Sequence, residues 1–396
     1  MEEADFRQIV SDELAPLLQA TMIETSFPST PREWIASYAA PTRLLLKPTR
    51  VADYRVALER SQAFSPTERS LAGRFMEELA SVISLDPGAY QTDLLRAIPR
   101  RVIAAHLGGG EVLRGILGRL EEWSSQTYEG QRIVAAIGLG TTESTSGVLL
   151  SELWEQPFGP VLTNGFDTIL VVGRNGNIEG LRQLSTTNVS ATAPYRLREI
   201  ACWAENGKIS VVLNRHGELL LFKQGALTFA RRSGRWQHYV HEANIKRMSP
   251  PIDTTLRKAI YESCLDVSFA RTGGCIAVVD HAHRRELGPL IAEADLLATP
   301  SSYKARLVAL ALDRTEFHHL DRRVRLELLS MDGALVLDHR GTFLAVGAII
   351  EVPAGSQGGG GRTAAARRLS RLGLGMKVSA DGAITGYRDD TLVLRS

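Results

Sequence analysis

No run of apolar residues in this 396-residue chain approaches the roughly 18 needed to cross a bilayer, so no membrane-spanning helix is expected. Cysteine is scarce. Cys202, Cys264 and Cys275 lie far apart without a CxxC or paired spacing, which argues against a disulfide framework and for reduced, buried thiols in a cytoplasmic compartment. Neither sign of charge dominates: the formal net charge is +2, which gives no general reason to expect a nucleic-acid or membrane partner. The acidic start, Met1-Glu2-Glu3-Ala4-Asp5, lacks the basic-then-apolar pattern of a secretory signal, so a cytosolic protein is expected. What is present, 44% hydrophobic and 23% charged residues, describes a globular chain able to bury a substantial core, with a length suited to two or three domains.

Periodicity divides the chain in three. From residue 1 to 126 the pattern is mostly helical, with apolar steps of three and four in Phe6-Ile9-Leu14-Leu17-Leu18 and Leu71-Phe75-Leu79-Ile83, broken by Pro28, Pro31, Pro41, Pro48 and Pro66. Gly108-Gly109-Gly110 before Val112, Leu113, Ile116, Leu117 and Leu120 reads as a loop feeding an amphipathic helix. From 127 to 249 the period changes to strands, including 133–137, 168–172, 209–213 and 218–222, with turn residues at hairpin spacing; this predicts a β-meander. Gly138-Leu139-Gly140 and Gly173-Arg174-Asn175-Gly176 resemble nucleotide loops, but no clear helix follows either, so they read as strand ends. Ser249-Pro250-Pro251 is the expected boundary of a third region, 250–396. That region opens on a helix capped by Asp253 or Thr254, with Leu256, Ile260, Cys264 and Val267 on one face, and Gly273-Gly274 ending it before the apolar strand 275–279. Further helices are expected around 287–297, 303–312 and 321–329, and then strands at 334–338 and 343–350. Val336-Leu337-Asp338-His339-Arg340-Gly341 echoes Val212-Leu213-Asn214-Arg215-His216-Gly217, which reads as two hairpins converging on turn-forming residues rather than as a duplicated domain.

The most informative stretch lies near the C-terminus. Gly358-Gly359-Gly360-Gly361 opens a basic, alanine-rich helix, Arg362-Thr363-Ala364-Ala365-Ala366-Arg367. Glycines let backbone approach an anion, and the free N–H groups and positive dipole end of a helix start favour bound phosphate. On the glycines alone, a flexible linker before an amphipathic helix accounts for the pattern equally well. The upstream Asp332-Gly333-Ala334, opening an apolar strand, favours the phosphate reading.

With these residues in order, 250–396 resembles the diadenylate cyclase (DAC) domain of DNA-integrity-scanning and related cyclases. The match runs through the strand Gly274-Cys275-Ile276-Ala277-Val278-Val279, the Asp-Gly-Ala motif, the glycine-led helix start, and Val378-Ser379-Ala380-Asp381-Gly382. The preceding region resembles the DACNV type of sensor domain. The resemblance implies an α/β fold of the α+β kind, a mixed sheet flanked by helices, after a helical and a β-rich region. It further implies adenine-nucleotide binding and the condensation of two ATP molecules into cyclic di-AMP between two facing domains, hence a homo-oligomer that is at least a dimer. Asp332 would hold Mg²⁺ or Mn²⁺, and Arg362 would join it in catalysis. Gly333 and Ala334 would face the nucleoside, and Gly360, Gly361, Arg362 and Thr363 the phosphates, with Arg367 and Ser379 close by.

Departures from that family are also legible. Thr363 stands where the family has histidine, Ala364 where it has a second arginine, and Ala380 where it has glutamate, leaving Asp381 as the nearby carboxylate. Arg367 and Arg368, one turn on, are candidates to restore charge or simply a solvated basic face. The alternative function is therefore a degenerate sensor that binds ATP or a cyclic dinucleotide without turnover. Elsewhere, Asp280-His281-Ala282-His283 and His318-His319 invite a metal reading but lack a third ligand at a defined spacing, so polar turns are expected there. The basic runs at 321–325 and 367–371 read as helix faces or inter-domain contacts rather than nucleic-acid surfaces, and Trp236, His238, Tyr239 and His241 as a packed strand end rather than a base-stacking pocket.

Overall fold

A computed structural model of the protein describes residues 3–23, 37–46, 56–84, 91–185, 191–248, 252–298, 300–351 and 360–396. The chain is α+β, with mixed sheets, and forms two compact units, Met1–Tyr239 and Val240–Ser396.

In the first unit the helices Pro66–Ser84, Ile98–Leu107 and Gly110–Trp123 put Leu71, Phe75, Ile103, Leu113, Ile116 and Leu120 into one buried cluster. The same cluster takes in Ile137, Val172, Val211, Leu221 and Phe229 from a seven-stranded sheet. Both stretches read from the sequence as separate regions, 1–126 and 127–249, thus contribute side chains to a shared core. Among the described residues the first 126 positions are mostly helical, as their pattern suggested, but they also hold strands that it did not show. A four-stranded sheet of Thr21–Ile23, Ser37–Ala40, Arg43–Leu46 and Val56–Glu59 lies among them. Its strands are three or four residues long, and in Arg43–Leu46 only Leu44 and Leu46 carry the period-two burial. So short a signal is overwhelmed by the helical one beside it. The expected meander is present in Ile209–Leu213, Leu219–Lys223, Ala226–Arg232 and Arg235–His238, but Ala135–Leu139 and Thr168–Val172 run parallel to each other. Gly173 to Gly176 form the turn into Ile178–Gln183, a strand-end role like that expected.

In the second unit Asp253 caps the helix Thr254–Ala270, its carboxylate accepting from the Thr255 N–H at 2.7 Å. Arg271 and Gly273, both at positive φ, turn the chain into Gly274–Val279. Leu256, Ile260, Cys264 and Val267 are buried as expected, and so is nearly every residue from Ala259 to Phe269, because the helix packs on several other elements of its unit. The boundary prolines Pro250 and Pro251 lie outside the described residues. Six strands follow the spatial order Phe343–Ala348, Ala334–Asp338, Gly274–Val279, Gly373–Val378, Ile384–Arg388, Thr391–Arg395. Only the pair Gly274–Val279 and Ala334–Asp338 is parallel. The helix expected around 287–297 is replaced by 3₁₀ turns, His281–Leu290 and Glu293–Asp295, since Gly288-Pro289 cannot continue an α-helix. This segment instead covers the sheet edge, the Leu297 N–H donating to the Leu344 carbonyl at 2.9 Å.

The two large sheets share one plan. In each, a central parallel pair is flanked by antiparallel strands in the same order, with one additional strand at the end of the first sheet. Registers agree through the central strands, where Ile137 pairs with Leu170 and Val211 as Ile276 pairs with Leu335 and Met376, while the second sheet has a further irregularity at Ala334/Val336. The irregularity at Val171/Val172 has its counterpart at Val336/Leu337, and that at Leu221/Phe222 at Gly386/Tyr387. The echo noted in the sequence is not this correspondence. Residues 212–217 correspond to 377–382, and 336–341 to 171–176; the echo is a convergence of turns, as its residues suggested, beside a repetition of fold that the sequence hides.

Candidate nucleotide site

Strand pairing collects most of the sequence-selected residues at one end of the second sheet. Ala334 begins its strand beside Ala348, while Gly274 begins the parallel strand beside Val378, the residue before Ser379. Asp332 and Gly333 therefore precede the sheet at the end where Ser379 leaves it. The helix Gly361–Ser370 is joined to Gly373–Val378 by a tight turn and packs on that strand, so its start returns to this same end. Gly358 and Gly359 lie outside the described residues, and Gly360 is the N-cap.

Asp332 is exposed, its Oδ1 accepting from the Gly333 N–H at 3.1 Å. Gly333 has φ +92°, and a Cβ there would lie 2.5 Å from the Gly347 carbonyl carbon, so a side chain is excluded both by conformation and by space. Gly347 answers it across the strands: φ is +58°, and its missing Cβ would lie 3.0 Å from the Asp332 carbonyl oxygen. Lys304 Nζ donates to the Gly347 carbonyl at 2.7 Å and to Asp295 at 2.8 Å, bracing this glycine pair.

Arg362 extends across the sheet end. A Cβ on Gly273 would lie 2.4 Å from its guanidinium and 3.3 Å from the Val378 carbonyl oxygen, so glycine at 273, with φ +71°, makes room for the arginine. Burial pushes the Cys275 thiol up to about 12, with the nearby Arg362 charge opposing that rise. Beside it, Thr272 and Ser330 hydroxyls meet at 2.8 Å, tying the loop before Gly274 to the one before Asp332. The Thr363 N–H donates to the Gly360 carbonyl at 2.8 Å. At Ser379 a tight turn closes through its N–H to Ala383 at 2.9 Å, and Asp381, exposed, accepts from the Ala383 N–H. Ser268 and Arg271 hold this turn by donating to the carbonyls of Gly382 and Asp381.

Arg367 is placed differently. It lies about 7.5 Å along the helix axis from Arg362 and forms an ion pair with Asp390, which Arg371 also reaches at 3.1 Å. These two arginines hold the Asp390 carboxyl below the usual carboxylate range. Three contributors escaped the sequence reading: Gly273, Gly347 and Lys304. A glycine inside the apolar strand Phe343–Ala348 was the available signal for Gly347; nothing local marked Lys304. The exposed Asp332 offers a hard oxygen ligand of the kind that Mg²⁺ or Mn²⁺ takes together with water and substrate phosphates, so the residue fits such an ion. Among the described residues no helix is long and apolar enough to cross a membrane.

No family model matches this chain, and no curated protein matches it. Among solved structures, it is similar to a hypothetical membrane spanning protein from Bacillus cereus at 17% identity, over 38% of this chain and 67% of that one, with a TM-score of 0.28. A double mutant of DacA from Staphylococcus aureus matches at 15% identity, over 35% of this chain and 83% of that one, with a TM-score of 0.23. At scores this low the likeness carries no argument.

Proposed function

We propose that the second unit binds adenine nucleotide at the end of its sheet and condenses two ATP molecules into cyclic di-AMP. The observation that carries this reading is the convergence, at one sheet end, of an exposed carboxylate, a glycine pair without side chains and a helix start bearing an arginine. Gly333 and Ala334 would leave a flat backbone surface for the nucleoside. Gly360, Gly361, the helix-start N–H groups, Thr363 and Arg362 would receive the phosphates. The 3′-hydroxyl of one nucleotide attacks the α-phosphorus of the other, pyrophosphate leaves, and the reciprocal attack closes the ring with release of a second pyrophosphate. Two chains must bring their sites face to face, so the active form is at least a homodimer. Arg362 would stabilise charge on the departing pyrophosphate. A divalent cation on Asp332 would supply charge neutralisation at the reacting phosphates. The protein would work in the cytoplasm, with Met1–Tyr239 acting as a regulatory sensor region; nucleic acid and membrane are not its partners in this reading.

A second reading has its own observation. Arg367, the nearest candidate to replace the family's missing arginine, is engaged by Asp390, which favours a degenerate site that binds ATP or a cyclic dinucleotide without turnover. Incubation with ATP and Mn²⁺, at protein concentrations high enough for dimers, followed by mass spectrometry separates the two. Cyclic di-AMP is the expected product; tight ATP binding with no product would leave the sensor.

A further inference from the structure

At the opposite end of the sheet lies a group of side chains with different chemistry. Glu316, His318 and His319 follow one another on the 3₁₀ turn Phe317–His319 and its N-cap. Each offers one ligand atom, and the three lie within 4.8 Å of one another. Glu316 Oε2 is 3.5 Å from His318 Nε2 and 3.6 Å from His319 Nε2. Bonds of about 2.0–2.2 Å to nitrogen and oxygen, at a tetrahedral angle, put donor atoms about 3.3–3.5 Å apart. Two of the three spacings are therefore already near that value, and the third, between the imidazoles, lies within 4.8 Å.

The turn is also anchored. Phe317 is fully buried against the Phe343 ring, and its N–H donates to the Gly341 carbonyl at 2.9 Å. His318 Nδ1 is buried without a hydrogen-bond partner, packed where Gly341 has no side chain: a Cβ there would lie 2.9 Å from that nitrogen. Only 13% of the His318 side chain is exposed, against 65% for His319, so one imidazole is fixed by packing and the other is free to close. The other histidine motif does not assemble in this way: His283 bonds to Glu286 at 2.8 Å and Asp280 pairs with Arg388 at 3.1 Å.

We propose that Glu316, His318 and His319 form a binding site for a borderline divalent metal such as Zn²⁺ or Co²⁺, with a fourth position open to water. Two imidazoles and a carboxylate suit such ions, whereas Asp332 is an oxygen ligand suited to Mg²⁺ or Mn²⁺. The strand Ala334–Asp338, about 17 Å long at ~3.4 Å per residue, separates the turn holding Gly341 from Asp332, so the site stands apart from the nucleotide reading and does not depend on it.

The test is titration of the full chain, stripped with chelator, with Zn²⁺ by calorimetry and with Co²⁺ by visible absorption. One ion per chain is expected, with the intense Co²⁺ bands of tetrahedral coordination. His318→Ala and His319→Gln should each weaken binding about tenfold or more, Glu316→Gln should also weaken it, and Asp332→Ala should leave it unchanged. Circular dichroism checks the fold, and the exposed His319→Gln carries the test if His318→Ala disturbs packing. Absence of stoichiometric binding by the wild type, or binding that survives in the His318→Ala/His319→Gln double variant, would overturn the site.

Discussion

The two units repeat one sheet and finish it differently. At the position of Asp332-Gly333-Ala334 the first sheet has Asp167-Thr168-Ile169, as the shared registers require. The aspartate is kept, yet the Asp167 carboxylate is hydrogen-bonded by the Asn164 side chain, and Thr168 Oγ1 accepts from the Asn164 N–H at 2.8 Å. Where the second unit has the ten-residue helix Gly361–Ser370, the first has the six-residue Arg198–Trp203, whose Trp203 ring lies against Gly138. Ser379 is matched by Asn214, whose side chain is spent on its own turn, bonding His216 and Glu218. The edges differ too: Phe343–Ala348 is wholly buried, while Ile178–Gln183 is largely exposed. A scaffold fixes where strands end; the residues placed at those ends decide what can bind there.

The largest effects should come from breaking each unit at its own buried ion pair. Arg232 and Glu218 meet at 2.8 Å in the first, and Arg322 grips Asp266 at 2.7 and 2.9 Å in the second. Glu218→Ala and Asp266→Ala should each cost about 3–5 kcal/mol, because a buried guanidinium loses its counter-charge. Denaturant melts should show each substitution moving a different transition. If both move the same one, the units do not unfold separately.

A smaller effect separates the two strand openings. Gly333→Ala forces a side chain into positive φ against Gly347 and should cost roughly 1–3 kcal/mol. Thr168→Ala, at the matching position of the first unit, loses only a hydroxyl hydrogen bond, roughly 1 kcal/mol. Equal losses would mean that the close approach at Gly333 is not a real constraint.

Much of the second unit was legible because its signals are local. The Asp253 cap, the apolar strand 274–279 and the helix 303–312 follow from residues a few positions apart. What was hidden depends on distant partners. Leu296 and Leu297 look helical until the edge strand at Leu344 and Ala345 gives them a ladder to join. Arg362 was legible as a phosphate ligand candidate, but its lodging over Gly273 was not, since the two are 89 positions apart in the chain (362 minus 273). The repeated sheet was hidden for a related reason: register and bulges are preserved by backbone pairing, which many side-chain sets satisfy.

The regulatory comparison is sharpened by removing the first unit. If Met1–Tyr239 controls the second unit, the fragment Val240–Ser396 should differ from the full chain in nucleotide affinity, product formation or oligomeric state. Identical behaviour in all three would remove the regulatory role under those conditions.

The smallest effect is confined to the first unit. Burial, followed by the neighbouring Asp12 charge, raises Glu13 from 4.5 to about 7. A carboxyl whose folded pKa lies above its unfolded value favours folding below the unfolded pKa, and that contribution is lost as pH rises through the folded one. Glu13→Gln should therefore raise the melting temperature more at about pH 8 than at about pH 5. A gain independent of pH would show that Glu13 ionises normally.

The central claim, that nucleotide binds at the second unit's sheet end and not at its counterpart in the first, is tested most directly by calorimetry with ATP and Mn²⁺. Arg362→Ala should weaken binding by about 1.5–3 kcal/mol, the value of a charge-assisted contact, and Asp332→Ala should weaken it as well, while Asp167→Ala should leave it unchanged. ATP affinity unaltered in both Arg362→Ala and Asp332→Ala would contradict the account.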